Sequence, residues 1–466
     1  MNETKALRMF DAVTAVPDEV IEEARQIPLG PPSGGEQRQK ISPVWKWATG
    51  IAAALALIAA GIVFIPRFAV PVGADAEMIA VPEYPEKRVI GLAKKTPEGA
   101  KSFLTASVPV FLGGAEGENR VYSPANLYMA LSMLAELTDG ESREQILSLL
   151  GADTVEEQRE NANALWLAAY REKTSEQGAC LLANSVWLNE DVSFKTASLD
   201  VLAKDYYASS CRGTMGSPKM DEALRAWVNE QTGGVLKDAV DGITTDPRTV
   251  LELFSTVYFR GIWANRFKEE NTEPGVFHAP DGDKTVPFLR KQGEPGVYYW
   301  GEKFSAVSKS FSNGYEMLFV LPDEGLAPDD LLADAEWIDF MSGDRYEWEK
   351  NKVLRVNLSV PKFDVSSDVD LSEGLKSLGV TDVFEPDGAD FSPLTDEGGV
   401  FVSNAAHAAR VMIDEDGCTA ASYVEISAAG GMLPPDEVVD FTVDRPFLFL
   451  IVKRELPLYI GVICQP

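Results

Sequence analysis

Between Trp47 and Ile65 the chain runs for 19 residues without a charge, WATGIAAALALIAAGIVFI. At about 1.5 Å rise per residue, a helix of that length just spans a hydrocarbon core of about 30 Å. The run is apolar all round, without the polar face a surface helix keeps, and this favours a membrane span over a buried core helix. Lys46 and Arg67 bracket it, and Trp45 and Trp47 stand where an aromatic belt would lie. Arg38, Lys40 and Lys46 before the run outweigh Arg67 after it, so the N-terminus is expected in the cytoplasm and the remainder outside. Ala74-Asp75-Ala76 resembles a cleavage site, but 46 residues precede the apolar run, which favours a retained anchor over a signal peptide. Four parts follow: a short cytoplasmic segment (1–46), a transmembrane helix (47–66), an extracellular tether (67–95) and one globular domain (96–466). Within the first, Glu19 to Ile27 reads as a short helix and the Pro/Gly stretch after it as linker.

The globular part carries helix signals first and strand signals later. Thr96 before Pro97 reads as a cap with Pro at the first helical position, and Pro109 should kink that helix. Ser123-Pro124 repeats the signal, with Leu127, Leu131 and Leu134 on one face. Gly151 closes a helix, Thr154 with Glu157 forms a capping box, and a helix through Leu224, Trp227 and Val228 stops at Gly233-Gly234. Strands are expected at Leu181–Leu188, Val250–Phe259, Tyr315–Leu321, Val353–Val360, Val400–Ile413, Val438–Val443, Phe447–Val452 and Leu458–Ile463. This order implies an α+β fold with large mixed sheets.

The net charge of −30 disfavours nucleic acid and anionic lipid as partners. Two histidines, His278 and His407, leave little for histidine catalysis or metal binding. The four cysteines, Cys180, Cys211, Cys418 and Cys464, show neither metal-ligand spacing nor a disulfide framework. No HExxH, GxSxG, Walker or Rossmann pattern is present. No cofactor, no metal and no enzyme activity are therefore expected.

Several segments then resemble the serpin family in order and spacing. Asn119-Arg-Val-Tyr-Ser-Pro and Leu131-Ser-Met-Leu come first, then Arg143-Glu-Gln-Ile-Leu, Trp227-Val-Asn-Glu-Gln-Thr-Gly-Gly and Tyr258-Phe-Arg-Gly-Ile-Trp. Leu321-Pro-Asp-Glu, Val360-Pro-Lys-Phe, Leu378-Gly and the most specific piece, Asp444-Arg-Pro-Phe-Leu-Phe-Leu-Ile, follow. The resemblance covers about residues 97–466, and with the anchor the chain looks like a membrane-anchored, bacterial-type member. It implies three β-sheets, eight or nine helices and an exposed reactive loop between Asp414-Glu-Asp-Gly and Pro446.

As a strand, that loop places Cys418, Ala420, Ser422, Val424, Ile426 and Ala428 on one face, all small or apolar. Thr419, Ala421, Tyr423, Glu425, Ser427 and Ala429 lie on the other, with the only charge, Glu425. Gly417, Gly430-Gly431 and Pro434-Pro435 bound the stretch like a loop. A segment that reads both ways suits two states: bait when exposed, sheet strand once cut. The resemblance implies a hinge at Glu415, Gly417, Cys418, Thr419, Ala420, Ala421 and Ser422. Family spacing places the reactive bond at Gly431–Met432, flanked by Ala428, Ala429, Gly430 and Leu433. With no Arg or Lys there, an elastase-like or subtilisin-like serine protease is the expected target rather than a trypsin-like one. The mechanism implied is suicide inhibition by a monomer.

The resemblance also implies a shutter of Ser123, Asn126, Ser255 and His407. Ser255 departs from the usual asparagine, so its bond to the histidine should be missing or water-mediated. Cys418 departs from the usual threonine or serine; it is read as a small bystander rather than a redox-sensitive thiol. The rival readings are a non-inhibitory serpin with a carrier or structural role, and a membrane-spanning signalling protein of anti-sigma type.

Overall fold

A computed structural model describes residues 76–85, 97–114, 117–174, 178–234, 242–345, 347–403, 405–418 and 437–466, all within a unit running from Val70 to Pro466. The N-terminal helix, the anchor at 47–66, Thr96 and the loop residues from Thr419 to Leu433 lie outside the described residues. Among the described residues no helix is long and apolar enough to cross a membrane.

Nine α-helices are present among them, within the expected eight or nine: α1 Glu98–Leu112, α2 Pro124–Leu137, α3 Gly140–Leu150, α4 Val155–Ala169, α5 Thr196–Asp205, α6 Pro218–Gln231, α7 Asp329–Leu332, α8 Ala335–Ser342 and α9 Ser372–Ser377. The strands are β1 Ala76–Ala80, β2 Arg120–Tyr122, β3 Arg171–Thr174, β4 Gly178–Asn189, β5 Ala208–Gly213 and β6 Leu251–Ile262. They continue with β7 Glu273–Ala279, β8 Gly282–Trp300, β9 Phe304–Ser310, β10 Glu316–Pro322, β11 Asn351–Pro361 and β12 Phe363–Asp370. The last are β13 Ala406–Ile413, β14 Gly417–Cys418, β15 Val438–Thr442, β16 Phe447–Lys453 and β17 Leu456–Ile463.

The starts of α2 and α4 and the end of α3 form where the sequence places them. Ser123 Oγ accepts from the Asn126 N–H with Pro124 next to it, and Thr154 Oγ1 accepts from the Glu157 N–H. Gly151 takes the left-handed φ of 69° that ends α3. Pro97 is the cap of α1 rather than its first residue, and α1 runs through Pro109 to Leu112. Pro109 falls in the last turn, so only one helical bond is lost.

Two continuous sheets result where three were expected. The first runs β1-β5-β4-β6-β14-β13-β12, with β3 added on β4. The second runs β15-β11-β8-β9-β10-β16-β17-β2, with β7 on β8. The 19-residue β8 is the reason: its first half pairs with β7, its end pairs with β9, and β11 lies along its length. Two expected sheets thereby share a strand. The expected strand from Val400 begins only at Ala406, because 400–403 lack a ladder partner. Part of the expected tether, Ala76–Ala80, is an edge strand of the first sheet. The main core takes in residues of both sheets and of α1–α4, and buries all of β17 and all of β16 except Lys453.

Candidate functional site: a gap in the first sheet

β14 is two residues long, yet it is the only described strand between β6 and β13. Gly417 pairs with Ile262, Cys418 with Gly261 on one side and with Ile413 on the other, both antiparallel. Both pair antiparallel with β14, so β6 and β13 run parallel to each other, and among the described residues no ladder joins them directly and no other strand pairs with their facing edges. The interval encloses a cavity of about 50 Å³ lined by Ser123, Asn126, Ser255, Val257, His407 and Cys418, among others. Unpaired strand edges are templates for another strand.

Gly417 is fixed by close approach. A Cβ there would meet the Gly261 carbonyl oxygen at 2.0 Å. The turn before it is held from several sides. Asp414 Oδ1 accepts from the N–H groups of Asp416 and Gly417, at 2.9 and 3.0 Å. The Trp263 indole N–H donates to the Asp414 carbonyl at 2.9 Å, and Arg266 pairs with Asp416 at 2.8 Å. Glu415 accepts from Thr272 Oγ1 at 2.7 Å and pairs with Lys362 Nζ at 2.8 Å. Burial works to raise the Glu415 pKa, but the hydrogen bonds from Lys362 and Thr272 outweigh it and leave it lowered. Lys309 is buried beside Trp263 and Phe267, 4.7 Å from the Phe267 ring, with Glu294 2.8 Å away. Cys418 is 2% exposed, and burial pushes its thiol well up, which disfavours the reactive thiolate form in this state.

Ser123, Asn126, Ser255 and His407, the residues expected to form a shutter, line this one cavity together. His407 Nε2 accepts from the Ser123 N–H at 3.0 Å, and the Ser123 hydroxyl donates to the Leu458 carbonyl at 2.7 Å. The Tyr122 ring meets His407 edge-on at 5.6 Å. Ser255 also lines the cavity, and among the described residues no direct hydrogen bond joins it to His407. Asn126 Oδ1 is buried without a hydrogen-bond partner.

Burial lowers the His407 pKa from 6.5 to about 4. The fold therefore holds a neutral ring that the unfolded chain would protonate below 6.5. Its stabilisation is complete above that pH and is lost as pH falls toward 4. A shift of that size corresponds to about 3 kcal/mol. We expect urea unfolding to show stability dropping by about that amount over this window, and His407→Gln to remove most of the slope. An unchanged slope in the variant would assign it to other groups.

Trp263, Arg266, Thr272 and Lys362, which hold the turn before Gly417, carry no role in the reading of the sequence. Trp263 and Lys362 stand inside quoted motifs, Gly-Ile-Trp and Pro-Lys-Phe. Their partners lie 50 to 150 positions away in the chain, a pairing that one sequence does not display.

A two-residue strand between β6 and β13, with no described strand continuing it, interrupts the first sheet at that interval. The comparisons give the chain's family. A model for serpins, serine protease inhibitors, matches residues 111–466, and the chain belongs to the serpin family. It is 27% identical to Serpin-ZX of Arabidopsis thaliana over 367 residues, 76% of this chain and 93% of that protein. It is 28% identical to neuroserpin of Mus musculus over 379 residues, 76% of this chain and 88% of that one. In fold it is similar to the thermophilic serpin Tengpin in its native state, with TM-score 0.69 at 23% identity, covering 84% of this chain and all of the other. The sequence relatives named are plant and mammalian proteins, so they lend the expected membrane-anchored, bacterial-type character no support. Serpins are mostly inhibitors rather than catalysts.

Proposed function

We propose that this chain is a suicide inhibitor of a serine protease, with Gly431–Met432 as its bait bond. One observation carries the reading: Gly417 and Cys418 already start a ladder between β6 and β13. Continued in the same register, that ladder would set Ala420 between Phe259 and Val411, and Ser422 between Val257 and Ala409. Val424 would lie between Ser255 and His407. Phe259, Val257, Val411 and Ala409 are buried core-facing residues, and the incoming side chains on that face are the small or apolar set. Glu425 would point to the other face.

In the reaction the protease's serine oxygen adds to the Gly431 carbonyl. The Gly431–Met432 amide breaks, its nitrogen leaves with a proton as the new Met432 amine, and Gly431 is left as an ester on the serine. Entry of the freed strand then completes the sheet by main-chain hydrogen bonds and drags the ester-linked enzyme with it. The residues before the bond, Ala428 to Gly431, suit small apolar pockets. SDS-stable complexes with elastase or a subtilisin-like protease, and none with trypsin, are the expected result. Complexes with trypsin alone would refute the target class, and cleavage by all three without complexes would favour the non-inhibitory reading. The uncharged run 47–65 further supports a single-pass anchor, N-terminus inside and serpin domain outside. Release of the chain from membranes by alkaline carbonate would refute it.

A further inference from the structure

Lys309 lies in β9 of the second sheet, opposite Met317 of β10, with its side chain 3% exposed. A lysine is almost never buried this far unless it is paired, and here the partner is Glu294 of β8, 2.8 Å away. Burial lowers the pKa of the ammonium, and the Glu294 carboxylate offsets part of that by its charge and its hydrogen bond. The same ammonium stands 4.7 Å from the centre of the Phe267 ring and 5.6 Å from that of Trp263. The two rings meet edge-on at 5.9 Å, and Trp263 stacks on Phe311 at 4.3 Å. A desolvated cation is drawn to the face of an aromatic ring, so the attraction depends on how the ring is turned.

These rings belong to the segment that cradles the turn before Gly417. The carbonyls of all three turn residues accept from it: Asp414 from the Trp263 indole at 2.9 Å, Glu415 from the Phe267 N–H at 3.1 Å and Asp416 from the Trp263 N–H at 3.0 Å. The segment is tied to the second sheet as well. The Ala264 N–H donates to the Ser310 carbonyl at 2.9 Å, and Lys291 donates to Asn265 Oδ1 at 2.6 Å and to the Arg266 carbonyl at 3.1 Å. None of these ties fixes the plane of the Trp263 indole, on which the Asp414 bond depends. Phe311 packs against that plane, and Lys309 attracts both rings. Stability alone does not account for a buried ion pair here, because apolar side chains of similar size are often neutral or stabilising in its place. They would not supply an attraction that selects one orientation of each ring.

We propose that Lys309 is a positioning residue for strand entry. Through Trp263 and Phe267 it holds the turn 414–416, and so keeps the first ladder step at Gly417 and Cys418 aligned with β6. The inference rests on the inhibitor reading. The test compares the full chain with Lys309→Met/Glu294→Gln, which removes both charges and keeps both side-chain lengths. Hydrogen exchange at the Trp263 and Phe267 amides should quicken at least tenfold, while the melting temperature stays level or rises. The moles of inhibitor consumed per mole of elastase or subtilisin should rise at least fivefold, at an unchanged rate of loop cutting. Lys309→Arg, which keeps a cation beside Glu294, should stay within twofold of the natural chain in both measurements. A purely structural role predicts inhibition that weakens only as stability falls. A consumption that is unchanged in the double variant, or that rises only together with a lower melting temperature, therefore overturns the proposal. So does a loss in Lys309→Arg equal to that in the double variant. If the double variant does not fold, Phe267→Leu decides, since it leaves the ion pair and removes the nearer ring; unchanged exchange at the Trp263 amide would then overturn the proposal. If the natural chain forms complexes and the double variant forms them equally well, the role of Lys309 alone fails. If the natural chain forms none with either enzyme, the inhibitor reading fails and the positioning role with it.

Discussion

Replacing Ala420 by arginine is expected to turn the chain from an inhibitor into a substrate. In the register begun by Gly417 and Cys418 this side chain enters between Phe259 and Val411, which are 6% and 2% exposed. A guanidinium there would meet a wall of aromatic and aliphatic carbon, and burying it without a partner costs several kcal/mol. Insertion would stall at its second or third residue while cleavage of the Gly431–Met432 bond proceeds. The acyl-enzyme would then hydrolyse before the protease is displaced. Measured with an elastase-like or subtilisin-like enzyme, the moles of inhibitor consumed per mole of enzyme should rise more than tenfold. The rate of loop cutting should stay nearly constant. Ala421→Arg is the comparison, because its neighbours in the ladder would be Tyr258 and Arg410, both only partly buried; its effect should be several-fold smaller. Equal behaviour of the two variants would refute the register. Retention of full inhibition by Ala420→Arg would refute insertion along this path.

Much of this site is legible in the sequence because strand and cap signals are local. The alternation from Cys418 to Ala428 needs only a period of two. Ser123-Pro124 announces both the start of α2 and the hydroxyl that reaches Leu458. Other parts are hidden for identifiable reasons. β8 contains Pro287, Gly293, Pro295 and Gly296, residues that read as breaks, and it survives because it lies between ladders on both sides. β1 reads as tether because five residues give too little pattern, and only its register with β5 reveals it. The ion pair of Lys362 with Glu415 and the Trp263 bond to Asp414 join distant segments. Their residue types are ordinary, so nothing local marks them.

Gly417→Ala should be the most damaging single-methyl change in the hinge. The added Cβ would stand 2.0 Å from the Gly261 oxygen and 3.0 Å from the Gly261 carbon and the Ile262 Cα. These are backbone atoms of β6, held in place by the full-length ladder to β4, so neither side can yield by a rotamer change. The short strand β14 would have to leave its position. The bond from the Asp414 N–H to the Gly417 carbonyl, and those Asp414 Oδ1 accepts, would go with it. Overpacking of this kind costs about 1–3 kcal/mol, with the lost hydrogen bonds adding to it. Because entry of the loop must begin at this point, inhibition should slow at least tenfold, more than the stability loss alone would give. Gly398→Ala is the control: a Cβ there has nothing within 4 Å, and any effect of alanine on the unfolded chain is shared by both variants. A Gly417→Ala protein with the melting temperature and association rate of the control would show that the ladder does not start at Gly417.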